Sequence, residues 1–440
     1  MDTSIIKEII SDFHSRKLPS LTKRRIDLTC PPRKARSIIG ARRTGKTYTC
    51  YQQILELMQQ DISKERTLLI NFEDERLIPL NVHDLSSILD AYYEMYPALK
   101  DEIVYLFLDE IQNVPQWENF VRRIIDSESI EVTITGSSAK LLSQEIATSL
   151  RGRTLSYEIS PFHFVEYLDF LDIKSTSVPS SKNRSQIVHA FESFLHIGGF
   201  PEILEYSEPM RLRVLQDYMQ VMLYRDLIER HDIRKHSLTK YFLKFLFANN
   251  AQPLSVNKFH QDARSQGYNC SKDTIHSYLS YLEEAFYFTT VSIFSDSIRK
   301  QQVNYRKVYA VDHGLVTAVS TSRSYNAGRL LETMMYNHLR RKFSKEKIYY
   351  YRTAQNYEID FIVLNKEEIL SLFQVCDSIQ ESITRNRELR ALWQAMDELN
   401  VLESFLITRN EREKIEKERK IIHVIPFWEW AISWYGNALN

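Results

Sequence analysis

With 440 residues, 57 basic and 57 acidic side chains and 43% apolar residues, the chain has the length of roughly two to four domains, and its composition excludes a disordered, fibrous or supercharged protein. Zero net charge excludes polyanion binding by the whole surface, so any nucleic-acid contact requires a local basic patch. No apolar run reaches the roughly 18 residues of a membrane span, and Asp2, Lys7, Glu8 and Asp12 break any secretory leader, which points to a cytoplasmic protein with no membrane partner. Cys30, Cys50, Cys270 and Cys376 stand far apart without a CxxC pair, a pattern of reduced thiols rather than of a disulfide framework or zinc site.

Glycine is scarce, ten residues against the roughly 30 that average usage would give, so its positions carry information. Two of the ten bound Gly40-Ala41-Arg42-Arg43-Thr44-Gly45-Lys46-Thr47, a full G-x-x-x-x-G-K-[ST] match. The apolar Ser37-Ile38-Ile39 before it reads as a strand, and Tyr48 to Gln59 has helical spacing through Cys50, Ile54, Leu55 and Met58. Strand, glycine-bounded loop and helix form the arrangement that cradles phosphate on backbone N–H groups. Residues 40–48 are therefore the expected nucleotide contacts. Lys46 supplies a point charge, and the Thr47 hydroxyl is an expected Mg²⁺ ligand.

Thr67 to Phe72 is the next expected strand, ending at Glu73-Asp74-Glu75. The unbroken apolar run Ile103 to Leu108 has the pattern of a parallel strand covered on both faces, and it stops at Asp109-Glu110. Asp109 is the expected second Mg²⁺ ligand, and Glu110 is placed to orient and deprotonate an attacking water. Carboxylates at this place also serve as helix N-terminal acids. Ile130 to Thr135, tipped by Gly136-Ser137-Ser138, and Thr154 to Ile159 complete the expected sheet. An additional strand between loop and acid resembles the layout of P-loop ATPases that carry a catalytic Glu, which implies that the polar-tipped strand lies between the loop strand and the acid strand. Ser137 or Ser138 is either a γ-phosphate sensor or a helix N-cap. Arg151 and Arg153 are either arginine fingers for a neighbouring subunit's γ-phosphate or members of loop ion pairs.

These stretches resemble the prokaryotic AAA-type ATPases that join an N-terminal P-loop domain to a C-terminal PD-(D/E)xK nuclease-like domain. The resemblance continues through Ser160-Pro161-Phe162, Ile197-Gly198-Gly199-Phe200-Pro201-Glu202, Tyr224-Arg225-Asp226-Leu227, Lys307 to Leu315, Glu358-Ile359-Asp360-Phe361 and Ile425 to Trp430. It implies an α/β P-loop fold with helices on both faces of a parallel sheet, ATP as ligand, hydrolysis of it, and self-association into a homo-oligomer. A low-turnover, nucleotide-gated switch that captures a partner is the alternative.

The domain boundaries expected on this basis are 1–160 for the ATPase core, 161–237 for a helical lid, 238–325 for a winged helix and 326–440 for the nuclease-like domain. In the lid, Gly198 to Pro201 is expected to separate two helices. In the winged helix, Ser255 to Arg264 and a helix capped by Ser271 precede strands at Tyr287 to Phe294 and Val303 to Val311, which flank a basic hairpin of Arg299, Lys300, Arg306 and Lys307. Lys272, Thr274 and His276 face either a major groove of double-stranded DNA or a docked protein. In the last domain, Glu332 lies on a helix followed by the basic Arg340 to Lys347, and Asp360 opens a strand that turns at Asn365-Lys366 into Leu370 to Val375. Gln374-Val375-Cys376 stands where the nuclease pattern has acid-x-Lys, so an inactive domain is expected.

Overall fold

The computed structural model describes residues 2–137, 150, 152–176, 179–319, 327–365 and 368–436. The chain forms two compact units, 1–160 with 284–286, and 161–283 with 287–440.

The first unit is built on five parallel strands: β1 (Ala35–Ile39), β2 (Thr67–Asn71), β3 (Val104–Asp109), β4 (Ile130–Gly136) and β5 (Thr154–Glu158), in the order β2-β3-β4-β1-β5. Alternating side chains leave on opposite faces, and both faces are apolar. Leu68, Ile70, Leu106 and Leu108 pack with Ile6, Ile9 and Ile10 of α1 (Thr3–Ser15) and with buried residues of α3 (Val82–Met95) and α4 (Trp117–Ser127). Ile38, Leu69 and Phe107 pack on Cys50 and Ile54 of α2 (Lys46–Met58). Helix α1, capped by Asp2 and absent from the sequence expectations, buries Ile6, Ile9, Ile10 and Phe13 at helical spacing and closes one side of the sheet with this face.

In the second unit the stretch expected as a two-helix lid holds three α-helices, Phe164–Phe170, Ser181–Ile197 and Glu208–Val221, the last continuing as a π-helix, Met222–Glu229. Helices His236–Ala248, Val256–Ser265 and Lys272–Glu284 follow, with a three-stranded antiparallel sheet β6 (Gln252–Leu254), β8 (Arg306–Ala310) and β7 (Phe288–Val291) in that spatial order. The expected hairpin needs correction. A short helix, Ile298–Val303, fills most of the segment expected as the hairpin turn and ends at the first residue of the expected second strand, and Lys307 points inward, 1% exposed, so of the four expected cations only Arg299, Lys300 and Arg306 are at the surface. Alternation along β8 places Lys307 on the face opposite Arg306.

Residues 348–426 form a mixed six-stranded sheet, β13 (Glu413–Lys417), β14 (Lys420–Pro426), β12 (Glu403–Thr408), β11 (Glu368–Val375), β10 (Glu358–Asn365) and β9 (Ile348–Arg352) in spatial order. The parallel pair β11 and β12 is joined by helix Ser382–Glu398, whose Ala391, Leu392, Ala395 and Met396 bury against the sheet. Of the expected basic stretch, Arg341 is not solvated: its guanidinium donates to the buried Glu166 carboxylate at 2.9 Å.

The Gly198-Gly199 turn and Gly314 explain each other. A Cβ on Gly198, which has φ +85°, would lie 2.3 Å from Asp312 Oδ1 and 2.8 Å from Gly314 Cα. The buried Asp312 carboxylate accepts from the backbone N–H of Gly199 at 2.7 Å, Gly314 at 2.9 Å and Leu315 at 3.2 Å. Asp312→Ala strands three buried donors at about 1–3 kcal/mol each. A fall of about 3 kcal/mol or more in unfolding free energy is expected by urea titration; a change below about 1 kcal/mol would contradict this account of the turn.

Candidate functional site

In a parallel sheet every strand ends on the same edge, and here that edge gathers the polar residues. Register pairs Asn71 with Asp109, Ile38 with Thr135 and Ile39 with Gly136, so the ends of β2, β3 and β4 line up on the edge from which the loop leaves β1. This edge is the place where open α/β sheets bind ligands.

The loop conformation depends on its two glycines. Gly40 has φ +145° and a Cβ there would sit 2.1 Å from the Ile159 carbonyl oxygen. Gly45 has φ +96° and is the left-handed cap that starts α2. The N-terminus of α2 thus begins at Lys46, where unpaired N–H groups and the helix dipole favour an anion. Arg43 also has positive φ, and Arg42 donates to Glu73 at 3.3 Å. Ala41 and Thr44 are buried, the Thr44 hydroxyl donating to the Ala41 carbonyl at 2.9 Å, whereas Tyr48 is half exposed on the outer side of α2.

Lys46 is 5% exposed and donates to the Gly40 and Ala41 carbonyls at 3.2 and 3.1 Å, with Glu110 Oε1 at 3.7 Å. The Thr47 hydroxyl donates to Asp109 Oδ2 at 2.8 Å. The expected Mg²⁺ ligands are therefore adjacent, joined across the space between α2 and β3. Burial pushes the Asp109 carboxyl above the usual range, hydrogen bonds from Thr135 and Thr47 pull it down, and neighbouring Glu110 pushes it up again. A buried carboxylate of this kind gains most from a divalent cation. Glu110 has φ +54°, which turns its side chain back toward Lys46, and its Oε2 accepts from Gln112 at 2.5 Å.

Besides Gln112, the residues Thr135 and Arg24 were not legible. Thr135 donates to Asp109 Oδ1 at 2.5 Å and accepts from the Glu110 N–H at 3.0 Å, fixing both acids from β4. Ser137 was the expected polar tip; its hydroxyl is buried among the described residues with no hydrogen-bond partner, and Ser138 and Arg151 lie outside the described residues. Arg24 is buried and braces the loop, donating to the Thr44 and Ser160 carbonyls, each at 2.7 Å, while Gln52 binds its backbone. Proximity to β1 in sequence gives Arg24 no motif spacing. Arg153 lies at the opposite edge of the sheet, where its carbonyl accepts from Ala35 at 2.7 Å and its guanidinium pairs with Asp126 at 2.8 Å, so it does not join its own chain's loop.

The second unit holds a separate charged cluster. Lys307 Nζ lies 2.7 Å from Glu332 Oε1 and 2.9 Å from both Glu358 Oε1 and Asp360 Oδ1. Burial, reinforced by Asp360, pushes Glu332 up to about 7, with Lys307 and Tyr309 pulling against it. Burial pushes the Cys376 thiol up to about 11, so it is neutral at physiological pH. Among the described residues no group of three His, Cys, Asp or Glu side chains is arranged to hold a metal ion.

Strand order, glycine loop and the paired Thr47 and Asp109 define the first unit as a P-loop domain of the AAA type, and residues 32–168 match the family described as AAA domain. Residues 188–326 and 327–430 match two families described as domains of unknown function, DUF8612 and DUF4143. The chain belongs to the family of the Methanocaldococcus jannaschii protein named "Uncharacterized protein MJ1544", with which it is 33% identical over 99% of this chain and 97% of that one. A Haemophilus influenzae protein, "Uncharacterized protein", is 30% identical over 78% of this chain and 83% of its own. Among solved structures, the Aeropyrum pernix Orc1 protein in complex with DNA aligns at 12% identity over 72% of this chain and 91% of that chain, with a TM-score of 0.28, too low to carry an inference.

Two predictions follow from the geometry. Thr135→Val keeps the volume and removes the hydroxyl that holds Asp109 and Glu110; ATP turnover is expected to fall tenfold or more while nucleotide affinity changes by less than about threefold, read from kcat and equilibrium binding. Glu332 titrates near 7 instead of the ordinary 4.5, so its contribution to stability is complete below pH 4.5 and is lost as pH rises through about 7. The melting temperature of the second unit is expected to decline over that interval in wild type, and to decline less in Glu332→Gln.

Proposed function

We propose that this chain binds ATP with Mg²⁺ and hydrolyses it. The observation that carries the reading is the convergence of Lys46, Thr47, Asp109 and Glu110 on one sheet edge beside a loop shaped by Gly40 and Gly45. The residues suit the ligand. Gly40 and Gly45 keep the loop backbone open to phosphate, Lys46 carries the charge that meets it, and Thr47 with Asp109 holds the cation. When bound, the cation supplies charge neutralisation at the phosphates. Glu110 acts as the base that orients and deprotonates water, and Gln112 and Thr135 fix its position. Ser137, with its buried hydroxyl unpartnered, acts as the γ-phosphate sensor. Arg153, on the far edge of the sheet, and Arg151 act on the nucleotide of an adjacent copy, so the active form is a homo-oligomer.

In this reading residues 161–237 are the lid, 238–325 a winged helix and 326–440 a nuclease-like fold used for binding or assembly, with positions governed by the nucleotide state. The exposed Lys272, His276, Arg299, Lys300 and Arg306 favour duplex DNA as the partner.

Lys46→Ala is expected to abolish nucleotide binding, and Glu110→Gln to keep binding while slowing hydrolysis by roughly a hundredfold. Wild-type turnover in either variant removes the assignment. Steady-state hydrolysis with and without duplex DNA separates a DNA-stimulated ATPase from a slow switch, and sedimentation with ATP and Mg²⁺ tests the oligomer.

A further inference from the structure

The carboxylate cluster of the second unit lies outside the nucleotide reading, and its geometry makes a statement of its own. An ammonium has three N–H donors. Lys307 directs them to three different carboxylates, on helix Ala327–Leu339 and at two positions of β10, at 2.7, 2.9 and 2.9 Å. Each carboxylate also meets a second protein donor. Glu332 Oε1 accepts from the Tyr309 hydroxyl at 2.7 Å, Asp360 Oδ2 from the Val375 N–H at 2.9 Å, and Glu358 Oε2 from Arg352 at 3.0 Å.

Gln374 does not complete a metal shell either. Its side-chain oxygen accepts from the Asp360 N–H at 3.2 Å and its nitrogen donates to Glu388 at 2.8 Å, so both ends of the amide are engaged inside the fold. Mg²⁺ demands a near-octahedral set of oxygens at about 2.0–2.1 Å. A fixed cation already stands among the carboxylates that would supply it, and the PD-(D/E)xK cation does not fit this residue set.

We propose that Lys307 is the resident cation of this cluster: its ammonium fills the space among the three carboxylates that a divalent ion would need, and it clasps β8 to helix Ala327–Leu339 and β10 without a metal. A lysine in this role stays in place, since leaving would strand the buried Glu332 and Asp360 carboxylates without a cation and take one partner from the partly exposed Glu358. The cluster is then a clasp between the three-stranded sheet and the six-stranded sheet, and not a centre for metal-dependent phosphodiester cleavage.

Mn²⁺ titration of the nucleotide-free full chain, followed by electron paramagnetic resonance, tests this. Wild type is expected to show no Asp360-dependent site tighter than roughly 1 mM, whereas Lys307→Ala gains one Mn²⁺ at least tenfold tighter, lost again in Lys307→Ala/Asp360→Asn. A wild-type site abolished by Asp360→Asn overturns the proposal, and so does a folded Lys307→Ala that gains none. Should Lys307→Ala not fold, acetic anhydride labelling of wild type decides. Lys307 protected equally in EDTA and in millimolar Mn²⁺ supports the clasp, and Mn²⁺-induced labelling of Lys307 means that metal displaces the ammonium and overturns it.

Discussion

The Ile159 carbonyl oxygen lies so close to Gly40 that any side chain there would collide with backbone, and the geometry of the first unit follows from that approach. The Ile159 N–H donates back to the Ile39 carbonyl at 2.7 Å, so the seam between β1 and the end of β5 is pinned at the point where the loop departs. With the loop fixed there, its N–H groups and the start of α2 face the edge to which β3 and β4 deliver Asp109, Glu110 and Thr135. Arg24 braces the same loop from beneath through the Thr44 carbonyl.

Two buried lysines show how environment separates function from structure. Lys46 donates to two neutral carbonyls, with the Glu110 carboxylate at 3.7 Å. Lys307 is held by three carboxylates, and its ammonium is stabilised well beyond an ordinary lysine because Asp360 and Glu332 outweigh the cost of burial. Burial alone does not distinguish them; the charge of the acceptors does.

The loop, the acid pair and the five strands were legible because each is encoded locally, whereas the spatial order of the strands is not. Gly40 and Gly45 mark positive φ, the apolar run before Asp109 marks a doubly covered strand, and Lys46-Thr47 follow the loop at fixed spacing. Thr135, Gln112 and Arg24 were not legible, since hydroxyl, amide and guanidinium groups acquire roles only from what faces them across strands. The polar tip at Ser137 drew attention to the end of β4, whereas the contact with Asp109 is made two residues earlier, by Thr135. The expected surface hairpin failed at Lys307 for the same reason: composition registers four basic residues, and alternation along β8 turns one of them inward.

The sequence by itself determined the anion-binding edge, because a P-loop is built from consecutive residues whose backbone angles are dictated by glycine and whose helix begins at a fixed step. It also carries Gln374 and Cys376 at the two positions where the nuclease-like resemblance led to the expectation of an acid and a lysine. Only tertiary structure decided what fills the place left by that loss, since Lys307, Glu332 and Asp360 come from separate strands and a helix far apart in the chain. Long-range charge pairing leaves no periodic trace in sequence, and it is realised only once the sheets have formed.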